Sequence, residues 1–164
     1  MKIGLNSSFL ALFARRCPLE RVSPNSNQNK LMELQVGVKI LLKNSEGKYL
    51  LVRRNPEKYP EVGPKWDIVG GRINPGAPLI ENLKREIEEE VGLDYQGEPK
   101  LISAQDILKP DKHVVRLTYI GDQDGDPKID EDHLEAKWFT GEEIKNLENL
   151  DSYFKELLGK AIDL

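Results

Sequence analysis

Residues 71–93, GRINPGAPLIENLKREIEEEVGL, decide how this chain is read. Pro78 suits the first position of a helix, where its missing N–H is no loss, and Gly92 suits the left-handed residue just past a helix end. The spacing therefore predicts a helix over 78–91. Glu86, Glu89 and Glu90 stand at i, i+3 and i+4, which confines their carboxylates to one arc of about 100°; Glu88 points elsewhere. The cluster occupies the last two turns, where the helix dipole disfavours negative charge by ~0.3–1 kcal/mol per residue and like-charge pairs add ~0.2–0.5 kcal/mol. A sequence chosen for stability alone would place lysines there. Three convergent carboxylates at that end suit a hard divalent cation with oxygen ligands, and Mg²⁺ keeps several waters, leaving room for phosphate oxygens.

Working outward, strand-like and helix-like segments alternate. Residues 36–42 (VGVKILL) and 48–53 (KYLLVR) are rich in apolar and β-branched types and are joined by Asn44-Ser45-Glu46-Gly47, which predicts a hairpin. A loop with Pro56, Pro60, Gly63 and Pro64 precedes a short strand over 66–69. After the helix, strands are expected at 101–108, 114–120 and 136–139, and residues 141–158 are expected to be helical with a break near Leu150. The chain has no internal repeat. The order predicts an α/β fold: a mixed β-sheet with helices on its faces.

Composition limits the function classes. In 164 residues a single cysteine, Cys17, makes an internal disulfide framework impossible. No apolar run approaches the ~18–20 residues of a membrane-spanning helix, so no membrane association and a cytoplasmic location are expected. Residues 1–31 hold five basic residues and one acid, whereas residues 32–164 hold 19 basic and 27 acidic, a net charge of −8. A body of that charge repels polyphosphate backbones, so general nucleic-acid binding is not expected, and an anionic substrate must arrive with cations. Hydrophobic content of 38% against 32% charged is on the polar side, yet the apolar residues cluster enough for a core.

The first 31 residues read as an appendage to a domain over 32–164. The apolar stretch 3–14 is interrupted by Asn6, Ser7 and Ser8 and lacks a small-residue cleavage site, and residues 23–30 (SPNSNQNK) are polar linker. The expectation is an N-terminal extension that is either disordered or, through an upstream start codon, not part of the native fold. A chain starting at Met32 should then melt within a few degrees of the full chain, because the extension lacks the apolar surface to offset ordering costs of ~1–2 kcal/mol per residue. A large drop in melting temperature on truncation would show that it packs on the domain.

Gly71, followed by Arg85-Glu86-Ile87-Glu88-Glu89-Glu90-Val91-Gly92-Leu93, resembles the Nudix box, G-x5-E-x7-R-E-U-x-E-E-x-G-U with U aliphatic. Every fixed position matches except one, where Ala77 replaces a glutamate. Trp66-Asp67-Ile68-Val69-Gly70-Gly71 resembles the strand leading into the box, and Glu135-Ala136-Lys137-Trp138-Phe139 with Glu142-Glu143-Ile144 resembles the family's late strand and helix. The resemblance spans about 36–158. It implies a Nudix-like α/β/α sandwich and a metal-dependent hydrolase of nucleoside diphosphates linked to another moiety, of nucleoside triphosphate or nucleotide-sugar type. Carried over residue by residue, it implies Mg²⁺ or Mn²⁺ on Glu86, Glu89, Glu90 and the Gly71 carbonyl, with Arg85, Glu86 and Glu89 as catalytic residues. Bound metal would neutralise phosphate charge and activate the attacking water.

In the family the glutamate missing at Ala77 supports the box arginine, and Glu81, four residues before Arg85, is placed to take its role. Arg53 and Arg54 end a strand near the phosphate position that the resemblance implies, and period two allows only one to face it. Glu131 and Glu135 are candidates for a further metal ligand or general base. His113 and His133 are expected at the surface, and Trp66 and Trp138 in the core. A nucleotide-type small-molecule substrate is the expected partner, with a homodimer left open. The alternative is a non-catalytic nucleotide-binding or interaction domain with a degenerate box.

Overall fold

A computed structural model of the chain describes residues 32–160, 162 and 164. The expectations for residues 1–31 lie outside the described residues.

Strand β1 (Glu33–Lys43) carries the apolar run 36–42, and its alternation distributes side chains to two cores. Val38, Ile40 and Leu42 face one side, and Leu41 faces the other. Burial on both faces explains the nearly continuous apolar run, as in the interior strands of a helix-covered sheet. β1 joins β2 (Tyr49–Arg54) in the expected hairpin and runs parallel to β5 (Lys112–Asp122) from Glu33↔Lys112 to Lys43↔Asp122. β5 pairs antiparallel with β4 (Lys100–Leu108), and β2 pairs antiparallel with both the short β3 (Trp66–Asp67) and β6 (His133–Phe139).

Helix α1 (Leu79–Val91) lays Leu83, Ile87 and Val91 on the face formed by Val38, Ile40 and Leu42. That i, i+4, i+8 stripe is the buried face of an amphipathic helix. On the other face α2 (Gly141–Lys145) supplies Ile144, and α3 (Ser152–Leu158) supplies Phe154 and Leu157, packed with Leu41, Leu51, Ile68 and Phe139. The expected α/β/α sandwich with a mixed sheet is therefore present. Among the described residues no helix is long and apolar enough to cross a membrane.

Most strands run one to three residues beyond the expected ranges, β6 starting at His133 rather than at residue 136, and three further boundaries have a local cause. Pro78 lies outside α1, with extended backbone (φ −58°, ψ 151°), so the helix begins one residue later. The strand expected over 66–69 stops at Asp67, because the chain then leaves β2 for β1, where Ile40 N–H donates to Val69 O at 2.8 Å. The break near Leu150 is wider than expected: Leu150 bridges Trp66, and Asp151 starts a new helix by accepting the N–H groups of Tyr153 and Phe154.

Candidate active site

The crossing onto β1 presses residues 70 and 71 against the sheet. Val38 N–H donates to Gly71 O at 2.9 Å, and Ile73 N–H to Val36 O at 3.1 Å. Gly70 has φ 123°, and a Cβ there would lie 2.2 Å from Val38 O, so no other residue fits. At Gly71 a Cβ would lie 2.3 Å from Glu86 Oε2. The Glu86 carboxylate occupies the space that a side chain would fill. One turn on, Glu90 Oε2 accepts Gly70 N–H at 2.8 Å. The helical i, i+4 spacing thus sets two carboxylates against two consecutive glycines.

Arg85 ties the box together. Its Nη2 donates to Glu86 Oε1 at 2.6 Å and to Arg72 O at 3.0 Å, and its Nη1 donates to Glu89 Oε2 at 2.5 Å. Glu81 makes no hydrogen bond or ion pair with Arg85, which corrects the substitution expected from the i, i+4 spacing; Arg85 turns toward the helix C-terminus, where Glu86 and Glu89 stand. The buried Nε of Arg85 has no hydrogen-bond partner. The loop around Ala77 is held instead by Asn82, whose Oδ1 accepts Asn74 N–H at 2.7 Å and whose Nδ2 donates to Ala77 O and Pro78 O at 3.1 and 3.0 Å. Asn82→Ala should cost about 1–2 kcal/mol in a denaturant melt, since it removes three part-buried hydrogen bonds, although Pro78 O keeps the Asn82 N–H. An unchanged midpoint would show that the loop holds itself.

Behind the glycines lies a buried ionic cluster. Asp67, 1% exposed, pairs with Lys39 at 3.2 Å, Arg54 at 3.0 Å and Arg116 at 3.0 Å. Arg116 also reaches Asp151 at 3.0 Å, joining the sheet to the start of α3. Burial opposes the Asp67 charge, but Lys39, Arg116 and Arg54 hold its carboxyl well below the usual carboxylate range. Lys39 also donates to Ile68 O at 2.9 Å, which anchors the approach to Gly70. Burial pushes the Glu90 carboxyl up, and Lys39, His133 and the Gly70 N–H offset this only in part.

Glu86 and Glu90 with the Gly71 carbonyl are hard oxygen donors in a cradle without a side chain at position 71, and they fit a hard divalent cation. Glu89 would join them by leaving Arg85. Among the described residues no three His, Cys, Asp or Glu side chains surround one metal-sized point, and the Arg85 guanidinium bridges Glu86 and Glu89.

A NUDIX domain profile matches residues 33–158, which include this loop and helix. The chain belongs to the Nudix family. It resembles the MutT protein of Methanosarcina mazei Go1, at 27% identity over 79% of this chain and 93% of that one, with a TM-score of 0.70. The Nudix domain of Shewanella oneidensis NrtR, solved with ADP ribose, shares the fold at 14% identity, covering 81% of this chain and 90% of that one, with a TM-score of 0.63. A curated relative, m7GpppN-mRNA hydrolase NUDT17 of Xenopus laevis, is 34% identical over 87 residues, 49% of this chain. The match spans 28% of that relative's length.

Around this Nudix box the remaining candidates fall on different sides. The period-two alternation of β2 separates Arg53 from Arg54, as expected, and a bulge at Leu134 of β6 sets Arg54 opposite His133. Arg54 turns inward to Asp67, while Arg53 lies 3.7 Å from Glu135 at the surface. Glu131, with its side chain 84% exposed, pairs with Lys58 at 3.2 Å. Neither Glu131 nor Glu135 joins the box carboxylates here. His113 is partly exposed beside Asp106, as expected, whereas His133 is buried with its Nε2 3.9 Å from Glu90 Oε1, which corrects its expected surface position. The reason is that β6 begins at His133 and sets it opposite Arg54, on the inner edge of the sheet. Sequence reading also missed Lys39, although a lone lysine inside VGVKILL signals a buried charge that needs a partner.

Proposed function

We propose that this chain hydrolyses a phosphoanhydride bond in a nucleoside diphosphate linked to another moiety, using Mg²⁺ or Mn²⁺ held by Glu86, Glu90 and the Gly71 carbonyl. One observation carries the reading: Glu86 and Glu90 stand against Gly71 and Gly70, with Arg85 bracing the loop at Arg72 O. The cation, when bound, supplies charge neutralisation and a more acidic attacking water. Arg85 holds Glu86 and Glu89 beside the loop through Arg72 O, and Glu89 would leave the guanidinium to reach the cation. Lys39 and Asp67 fix Ile68, and through it the glycine pair, against β1. The net charge of −8 over residues 32–164 disfavours binding of an anionic substrate without cations.

The relatives support a nucleotide substrate, since one is named for hydrolysis of capped mRNA and another was solved with ADP ribose. The test is product release over a panel of nucleoside triphosphates, ADP-ribose and a capped dinucleotide with Mg²⁺. Turnover of at least one member is expected. A second reading, a nucleotide-binding domain without turnover, draws on Ala77 and the unpartnered Nε of Arg85. Binding to the panel with no product would favour it. Ala77→Glu separates the two further: turnover that rises from zero would mark the natural box as impaired.

A further inference from the structure

His133 is 7% exposed at the start of β6. Its Nδ1 lies 2.8 Å from Asp130 Oδ1, and its Nε2 lies 3.9 Å from Glu90 Oε1. Asp130 is fixed in turn, because the same Oδ1 accepts the N–H of Asp132 at 3.0 Å. Glu90 gives its other oxygen, Oε2, to the Gly70 N–H, which leaves Oε1 for His133. Lys39, whose charge acts on Glu90, gives its hydrogen bond to Ile68 O and its ion pair to Asp67.

A carboxylate that accepts Nδ1–H selects the tautomer whose Nε2 bears a lone pair, the arrangement in which histidine ligates metals. At 3.9 Å the Nε2 and Oε1 atoms are too far apart for a hydrogen bond. Two atoms each about 2.1 Å from one octahedral cation stand roughly 3 Å apart when adjacent and roughly 4.2 Å apart when opposite, and the observed separation lies between these limits. We propose that His133 Nε2 and Glu90 Oε1 ligate one divalent cation, with Asp130 as the orienting partner of the imidazole. The proposal rests on the hydrolytic reading above and gives its site a mixed nitrogen and oxygen donor set. Glu86 and the Gly71 carbonyl, with water and phosphate oxygens, would complete the coordination. Imidazole suits first-row transition ions better than Mg²⁺, so the site favours Mn²⁺ over Mg²⁺.

The probe is Mn²⁺ added to the full chain, read by pulsed electron paramagnetic resonance. A directly bound imidazole nitrogen should appear as a nitrogen coupling that changes when histidine is labelled with ¹⁵N. The chain has two histidines, so His113→Asn should keep the coupling and His133→Asn should lose it. Asp130→Asn, at a less buried position, should weaken Mn²⁺ binding by about tenfold or more. The measurement on the native chain needs no variant and stands if His133→Asn fails to fold. Saturable Mn²⁺ binding with metal-dependent turnover but no nitrogen coupling would overturn the ligand assignment and leave the hydrolytic reading in place. Absence of Mn²⁺ binding together with turnover in chelator would overturn both.

Discussion

Glu86→Gln and Glu90→Gln are each expected to lower kcat by at least ~10²-fold with the fold intact, the scale of losing a preorganised charge at a phosphoryl transition state. Both amides can keep the neutral contacts: an amide oxygen still accepts from Arg85 at position 86 and from the Gly70 N–H at position 90. What they remove is negative charge. Circular dichroism with steady-state kinetics would check this, and near-native turnover in either variant would remove the box carboxylates from the chemistry. In chelator, Glu90→Gln should also melt higher than the parent. Burial raises the Glu90 carboxyl, so its ionised form is disfavoured in the fold. That penalty is absent well below the ordinary carboxylate range and grows as pH rises from that range through the raised value. The difference in melting temperature should therefore widen with rising pH; a constant difference would contradict the electrostatic origin.

Asp67→Asn is expected to be the most damaging single change for stability. It leaves Lys39, Arg54 and Arg116 without their shared carboxylate, and breaking one side of a buried ion pair costs ~3–5 kcal/mol. A fall in melting temperature on the order of 10 °C or more follows. The Asp67 carboxyl lies well below its ordinary value, so its contribution is complete above the ordinary carboxylate range and is lost as pH falls toward the depressed value. The gap between parent and variant should thus be widest near neutrality and narrow on acidification. A loss under ~1 kcal/mol at neutral pH would mean that the cluster is replaceable and that the glycine loop is held by its β1 hydrogen bonds alone.

The box helix was legible because its signals are local: a proline, a glycine and an i, i+3, i+4 carboxylate pattern all lie within residues 71–93. The sandwich was legible from the alternation of strand-like and helix-like segments, including the hairpin at residues 44–47. What could not be read is set by distant pairing. The β6 bulge at Leu134 depends on how β2 meets β6, and that register sets His133 opposite Arg54. The preference of Arg85 for Glu86 and Glu89 over Glu81 follows from where Arg72 O lies, a residue brought in by the crossing onto β1. Lys39 and Asp67 lie on different strands, and their pairing is a property of the assembled sheet.

The most direct test of the hydrolytic account follows turnover of the best panel substrate while free Mg²⁺ or Mn²⁺ is titrated. Saturable activation is predicted, with complete loss in excess chelator and full recovery on adding the metal back. Turnover that persists undiminished in chelator would contradict it.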